Sequence, residues 1–125
     1  MSRILLDTHV FMWWVEADSR VASGWVEMIL DAENEVFVSA VTAWEIETKK
    51  RIGKLQFEYD VVARALEFEF TELAIELDHA AAAGSLDWEH KDPFDRILVA
   101  QAGMESMTLL SADVVMKSAP GVRVL

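Results

Sequence analysis

The sequence contains no cysteine, and this absence excludes two kinds of site. The chain cannot form a disulfide, and it cannot hold a metal through thiolates. Any metal would therefore be bound by oxygen atoms or by imidazole nitrogen. Because disulfides are absent, the composition fits the reducing environment of the cytoplasm, where we expect the protein to act.

Long hydrophobic runs and basic residues are scarce as well. The apolar run Ile4–Leu6 is too short for a signal peptide, and no stretch approaches the roughly 20 apolar residues that span a membrane. We therefore expect a soluble protein without a membrane partner. With 11 basic and 22 acidic residues, the formal net charge is -11, which argues against nonspecific binding of nucleic acid. A nuclease is still compatible with this charge, because a bound cation and a local basic rim can act against the overall field.

The chain does contain enough apolar sequence for one folded domain. Hydrophobic residues make up 53% of its 125 residues, and no repeat, low-complexity segment or linker divides residues 1–125. Strand-like runs are predicted at Arg3–Leu6, Val36–Val38, Leu73–Ile75, Thr108–Leu110 and Val122–Leu125. Helices are predicted at Thr8–Glu16, Ser19–Ala32, Ala40–Gly53, Asp60–Phe68, His79–Ser85 and Pro93–Glu105. This alternation predicts an α/β fold with a mainly parallel central sheet flanked by helices.

Four acidic residues stand where such a fold places functional side chains. Asp7 follows the first strand, and Asp113 follows the strand Thr108–Leu110. Asp95 lies in the first turn of a helix that also carries an apolar face, and Glu45 lies in the helix after the second strand. Because the carboxyl ends of parallel strands meet at one edge of the sheet, we expect these acids to lie close together.

Each acid also has a simpler interpretation when it is taken alone. Asp7 and Asp113 could cap the helices that follow them, Glu45 could be solvated, and Asp95 could complete a capping box behind the N-cap Asp92. Taken together, four carboxylates at one place repel one another. A hard divalent cation such as Mg²⁺ or Mn²⁺ relieves that repulsion and prefers oxygen ligands.

These motifs together resemble the PIN domain, and most closely the VapC-type toxins of type II toxin–antitoxin systems. The resemblance begins at "LLDTHVFMWW", continues through "SAVTAWEIETKKRIGKL" and is sharpest at "HKDPFDRILVAQA" followed by "LLSAD". It implies an α/β metal-dependent endoribonuclease whose acidic quartet is Asp7, Glu45, Asp95 and Asp113. Where the family usually has threonine in the last motif, this chain has Ser111, which keeps the hydroxyl.

Several other side chains are expected around the acids. Ser111 and Thr8 would support the ligands or contact phosphate, and Arg96 would contact phosphate or, as we favour, serve the structure. The basic run "KKRIGK", which includes Lys49 and Lys50, is either a solvated helix end or a contact for RNA. The three histidines show no metal-binding spacing, so we expect them to pack or to lie at the surface: His9, His79 and His90.

Partners are implied as well. The segment Val10–Val15 is apolar on every helical face, so it is either deeply buried or covered by another chain. The resemblance implies a homodimer and an antitoxin whose tail blocks the acidic site. An acidic toxin suits a basic antitoxin tail.

Two alternatives differ in class. A phosphoacceptor receiver domain has similar length and a similar type of sheet, but it needs an acidic neighbour beside Asp7 and a lysine after a late strand. A noncatalytic interaction module could use the same fold. The presence of all four acids favours the enzyme, and mutation of the acids discriminates the two.

Overall fold

A computed structural model describes residues 1–125 and contains one five-stranded sheet in which every pairing is parallel. The order of the strands across the sheet is β3-β2-β1-β4-β5. The strands are β1 Arg3–Leu6, β2 Glu35–Ser39, β3 Thr71–Leu73, β4 Thr108–Leu110 and β5 Arg123–Val124. The α/β class and the parallel sheet are thus confirmed. The order differs from the 2-1-3-4-5 arrangement of flavodoxin-like sheets, so the receiver alternative is wrong.

Six α-helices accompany the sheet. They are α1 Thr8–Val15, α2 Ser23–Leu30, α3 Ala40–Arg51, α4 Val61–Glu67, α5 Leu77–Ser85 and α6 Pro93–Met104, and a 3₁₀ helix follows at Val114–Ser118. The largest error of prediction concerns α2, which begins four residues late, and β3 and α5 each begin two residues early. The delay of α2 has a local cause, because the Asp18 carboxylate accepts hydrogen bonds from the backbone and guanidinium of Arg20 and forms a turn there.

The two faces of the sheet carry separate apolar clusters, because successive side chains of a strand point to opposite sides. In β1, Ile4 and Leu6 pack with α1 and α2, whereas Leu5 packs with α6. Helix α3 contributes to both clusters, through Ile46 to the first and Val41 to the second. It therefore lies over the carboxyl edge of the sheet, where its remaining side chains meet the ends of the strands.

Helix caps decide which polar groups remain free at that edge. Ser39 caps α3 by accepting a hydrogen bond from Val41 N–H. Asp92 accepts from the N–H groups of Phe94 and Asp95, so the N-cap predicted there is confirmed. Asp7 occupies the N-cap position of α1, but its side chain makes no capping bond. The Asp7 carboxylate is thereby left for other contacts.

The apolar helix α1 is mostly part of the protein's own core. Val10, Phe11, Met12 and Val15 are buried, whereas Trp13 and Trp14 are half-buried and line a shallow apolar groove. Deep burial therefore accounts for four of the six residues, and the two tryptophans are the part that another chain could cover. No helix of the structure combines the length and apolar character needed to cross a membrane.

Candidate active site

The site lies where the order of the strands reverses, beyond the carboxyl ends of β1 and β4. Asp7 follows β1, and its N–H donates to the carbonyl of Leu110 at the end of β4 over 3.0 Å. The hydroxyl of Ser111 donates to Oδ2 of Asp7 over 2.5 Å and accepts from the N–H of Asp113 over 3.1 Å. Ser111 therefore joins the ends of the two strands and fixes the orientation of the Asp7 carboxylate.

Asp7 is charged only at a cost. The residue is 4% exposed, and burial raises the pKa of its carboxyl above the ordinary value. The Ser111 hydroxyl, the charge of His9 and the Thr8 N–H lower this pKa by smaller amounts, and the charge of Glu45 raises it further. A positive charge beside Asp7 would favour its ionised form.

Glu45 reaches the same place from α3 and is even more enclosed, with 3% of its surface exposed. Its Oε2 accepts a hydrogen bond from Nζ of Lys49 over 2.5 Å, but its Oε1 is buried without a hydrogen-bond partner. A buried carboxylate oxygen without a partner is costly, because it has lost its water and gained nothing in return. Nearby, the hydroxyls of Thr8 and Thr42 lie 3.1 Å apart and join α1 to α3.

Asp95 completes the group from the first turn of α6. Its Oδ2 lies 2.7 Å from Nε2 of His90, so the carboxylate turns toward His90 rather than back to the helix cap. Burial raises the pKa of Asp95 to about 6; the His90 hydrogen bond opposes this, and the charges of Asp92, Asp7 and Glu45 add to it. This mutual influence shows that Asp7, Glu45 and Asp95 share one electrostatic environment.

Lys49 supplies a positive charge to this environment. Burial lowers the pKa of its ammonium, but the hydrogen bond to Glu45 and the charges of Glu45, Asp92 and Asp95 together raise that pKa above the ordinary value. Lys49 is therefore directed toward the acids rather than outward to solvent. Its neighbour Lys50 instead pairs with the exposed Glu47 at 3.7 Å.

Asp113 differs from the other three acids. It is exposed, and its Oδ1 accepts from the N–H of Val115 as the cap of the 3₁₀ helix. Its link to the group runs through its backbone N–H and Ser111. The structure thus brings Asp7, Glu45 and Asp95 together and leaves Asp113 at the rim, where its other oxygen makes no hydrogen bond within the chain.

The structure also adds a residue that the sequence did not indicate. Ligand atoms of His90, Asp92 and Asp95 lie within 4.8 Å of one another, the spacing of a potential metal site, although Oδ1 of Asp92 is engaged as the helix cap. The three lie in "HKDPFD", so the signal was a histidine two residues before an acid that begins a helix. This sequence signal is weak, because no local sequence pattern indicates that the chain bends and brings His90 against Asp95.

Arg96 produces that bend. Its guanidinium makes no ion pair and instead donates hydrogen bonds to backbone carbonyls of the segment 83–90, including 2.8 Å to Trp88 and 2.9 Å to His90. The five donors of arginine suit such a set of carbonyls. Arg96 therefore acts on the site by placing the backbone of His90, which in turn contacts Asp95.

A divalent cation fits the chemistry of this donor set. The acids offer oxygen atoms, burial raises the pKa values of Asp7 and Asp95, and Oε1 of Glu45 is an acceptor without a donor. Mg²⁺ and Mn²⁺ prefer oxygen ligands, and a cation near these acids would offset their negative charges, although only His90, Asp92 and Asp95 have ligand atoms within 4.8 Å of one another. The donor set is therefore compatible in its chemistry with a hard divalent cation.

Comparisons with known proteins identify the family and similar folds. A family model described as the PIN domain matches residues 4–122. Among solved structures, VapBC2 from Rickettsia felis, bound to a DNA fragment from their promoter, is 13% identical with a TM-score of 0.72, and the match covers 98% of this chain and 97% of that one. A toxin–antitoxin complex from Klebsiella pneumoniae is 22% identical with a TM-score of 0.66, over 98% and 95% of the two chains. FitAcB from Neisseria gonorrhoeae is also 22% identical with a TM-score of 0.66, over 98% and 96%. No curated protein matches the sequence significantly.

Proposed function

The chain belongs to the PIN domain family, and from this premise we propose that it is a metal-dependent endoribonuclease that acts as the toxin of a toxin–antitoxin pair. The observation that supports this most strongly is the set of enclosed acids at the carboxyl edge of the sheet. Asp7 and Asp95 have raised pKa values, and Glu45 has a buried oxygen without a partner. An interaction module has no use for such unfavourable charges, whereas a metal-dependent nuclease does.

Each side chain has a part in the proposed reaction. Asp7, Asp95 and Asp113 would hold Mg²⁺, or Mn²⁺ in its place, and Glu45 would hold a second metal or orient the attacking water. A bound cation would supply an acidified water for in-line attack on the RNA phosphate and would offset charge that develops on the phosphoryl oxygens.

Two further residues keep the acids in position for this reaction. The Ser111 hydroxyl holds Asp7, and His90 holds Asp95. We expect the products to carry a 5′-phosphate and a 3′-hydroxyl.

A basic rim offsets the overall negative charge near the site. Arg51 and Lys54 are exposed at the end of α3 and form no ion pair within the chain. Lys50 has only a long contact with Glu47, and Lys49 lies between this rim and the acids. We propose that the phosphates of RNA follow this rim toward the cation, and that Lys50 takes part through its exposed ammonium.

Cleavage of total cellular RNA by purified, partner-free protein tests the proposed activity. We expect discrete cuts in the presence of Mg²⁺ or Mn²⁺, no cuts with EDTA, and loss of the cuts in Asp7→Asn, because the amide keeps the shape of the carboxylate and removes its charge. Mapping the RNA ends by sequencing identifies the sites. Cleavage that persists in EDTA, or in Asp7→Asn, would contradict a metal-dependent site built on Asp7.

An antitoxin is the partner that we propose for the apolar groove beside α1. Several of the similar structures contain both members of a toxin–antitoxin pair, as in the Klebsiella pneumoniae complex. In this chain, Trp13, Trp14 and Phe68 line the groove, and Nε1 of Trp14 is buried without a partner. A basic tail of the antitoxin would complement the acids, and a second copy of the chain would form the proposed homodimer.

A charge placed in the groove tests this partner. Phe68 is 37% exposed and lines the groove, whereas Tyr59 is equally exposed outside it, so Phe68→Glu and Tyr59→Glu are matched substitutions. We expect Phe68→Glu to weaken binding of the antitoxin encoded beside this chain by roughly 30-fold, the loss that is typical of a central interface residue. Calorimetry measures the affinity. Equal affinities of the two variants would place the antitoxin elsewhere on the surface.

A further inference from the structure

A solvent-exposed tryptophan stands at the mouth of the acidic site. Trp44 is 53% exposed, and it is the one exposed residue among the five tryptophans. It immediately precedes Glu45 in α3, and its ring meets that of Phe94, which immediately precedes Asp95 in α6. The two ring centroids lie 4.8 Å apart with an interplanar angle of 71°, an edge-to-face contact. The pair therefore joins the two helices that carry these acids.

The two rings are held differently. Phe94 is partly buried and packs against the second apolar cluster of the core, whereas Trp44 is exposed. The contact with Phe94 therefore orients the indole while much of its surface stays in water. An aromatic face that is oriented by a neighbouring ring and open to water is available to stack on a flat group of a ligand.

Charges beside the rings indicate what that ligand is. Nζ of Lys49 lies 5.9 Å from the centroid of the Phe94 ring and also contacts Glu45. Arg51 and Lys54 continue the positive charge along the same end of α3. A ligand that meets both a flat aromatic ring and a row of cations combines a planar group with negative charge, as an unpaired nucleotide does.

We propose that Trp44, supported by Phe94, stacks on an unpaired base of the RNA next to the phosphate at the acidic site. This inference rests on the proposed nuclease function and adds a base-binding subsite to it. Because every base has an aromatic face, the stack contributes affinity with little choice among bases, and it selects single-stranded RNA over a duplex whose bases are already stacked. Trp44 positions the strand and takes no part in bond breaking.

Binding of short oligomers to the cleavage-silent Asp7→Asn protein tests the subsite. The probes are a fluorescein-labelled 12-nucleotide oligouridylate and an oligomer of the same length made of abasic residues, which keeps the phosphates and lacks the bases. We expect Trp44→Ala to weaken binding of oligouridylate by about 5- to 150-fold, the range for loss of one stacked base. Its affinity for the abasic oligomer should not change. Fluorescence polarisation gives both constants.

Two further variants separate stacking from simple apolar contact. Trp44→Phe keeps an aromatic face and should retain most of the affinity, whereas Trp44→Leu keeps apolar bulk and should behave as Trp44→Ala does. Leu30→Ala removes an exposed apolar side chain from α2, outside the proposed RNA path, and should leave RNA binding unchanged. Circular dichroism confirms that each variant is folded, and the comparison of phenylalanine with leucine still decides the question if alanine unfolds the chain.

The remaining outcomes are distinct. If the wild-type chain cleaves RNA but Trp44→Ala binds oligouridylate normally, or Trp44→Leu retains affinity, the subsite is wrong and the nuclease stands. If the wild-type chain neither cleaves RNA nor binds any oligomer, the proposed function fails and the subsite fails with it. If Trp44→Ala instead lowers the molecular mass in sedimentation while RNA binding is unchanged, the indole is a contact between two copies of the chain.

Discussion

Asp95→Asn is expected to lower metal-dependent RNA cleavage by at least about a hundredfold, because substitutions that only support a metal ligand already cost 10- to 100-fold. The amide keeps the size of the carboxylate but removes its charge, and it offers one weak oxygen ligand. Asp95 is less enclosed than Asp7 and Glu45, with 15% of its side chain exposed, and the amide keeps its shape, so the fold should persist. Single-turnover cleavage and Mn²⁺ calorimetry should therefore both show the loss.

Asp92→Asn is the matched control for that substitution. Asn caps helices as well as Asp does, so the bonds to Phe94 and Asp95 N–H are kept while a charge three residues away is removed. We expect cleavage to stay within about tenfold of the wild type, below the loss of a direct ligand. An equal loss of cleavage in both variants would indicate that the cation binds at His90, Asp92 and Asp95 instead. Full activity of Asp95→Asn would refute the acidic site.

Lys49→Met is expected to destabilise the metal-free protein by about 2–3 kcal/mol, because it leaves the buried Glu45 carboxylate without any partner. The figure is below the usual range for a buried pair since the Lys49 side chain is 32% exposed. Mg²⁺ should recover part of the loss by providing Glu45 with another positive charge. Urea unfolding with and without Mg²⁺ measures both effects.

The neighbouring lysine provides the comparison. Lys50 is 33% exposed and also pairs with a glutamate, but that partner, Glu47, is 61% exposed. Lys50→Met should therefore change the unfolding free energy by less than about 1 kcal/mol. Adding Glu45→Gln to Lys49→Met should restore stability, because the unpaired charge is then gone. Equal, small effects of Lys49→Met and Lys50→Met would mean that Glu45 finds solvent or another donor when the ammonium is removed.

Local pattern was sufficient for much of the fold. Strands β1 and β4 have the predicted bounds, because short apolar runs between polar residues leave little freedom for a buried parallel strand. Strand β3 was misplaced by two residues because Thr71 and Glu72 are exposed at the sheet edge and carry no apolar signal. Its position is set by pairing with β2, a contact between distant segments that local periodicity does not report.

In the candidate site, too, some features follow from the sequence and others only from tertiary contacts. Asp7 and Ser111 were found by their positions after strands, yet the hydrogen bond between them joins residues 104 apart in sequence. Their pairing follows from the parallel register of β1 and β4. By contrast, no pattern distinguished Lys49 from Lys50, or His90 from the other histidines. Lys49 differs from Lys50 because it lies on the side of α3 that contacts Glu45. His90 differs from the other histidines because Arg96 binds its backbone carbonyl and so places it beside Asp95.

The sequence by itself determined the family and the α/β class, and it predicted the four acids, because strand-forming runs and the residues that follow them are local properties of the chain. Only the tertiary structure decided how the acids differ: Glu45 is buried beside Lys49, Asp95 is held by His90, and Asp113 stays at the rim. The reason is that charge and exposure depend on every segment packed nearby. The pKa of Asp95 rises to about 6 through burial and through acids from three other places in the chain.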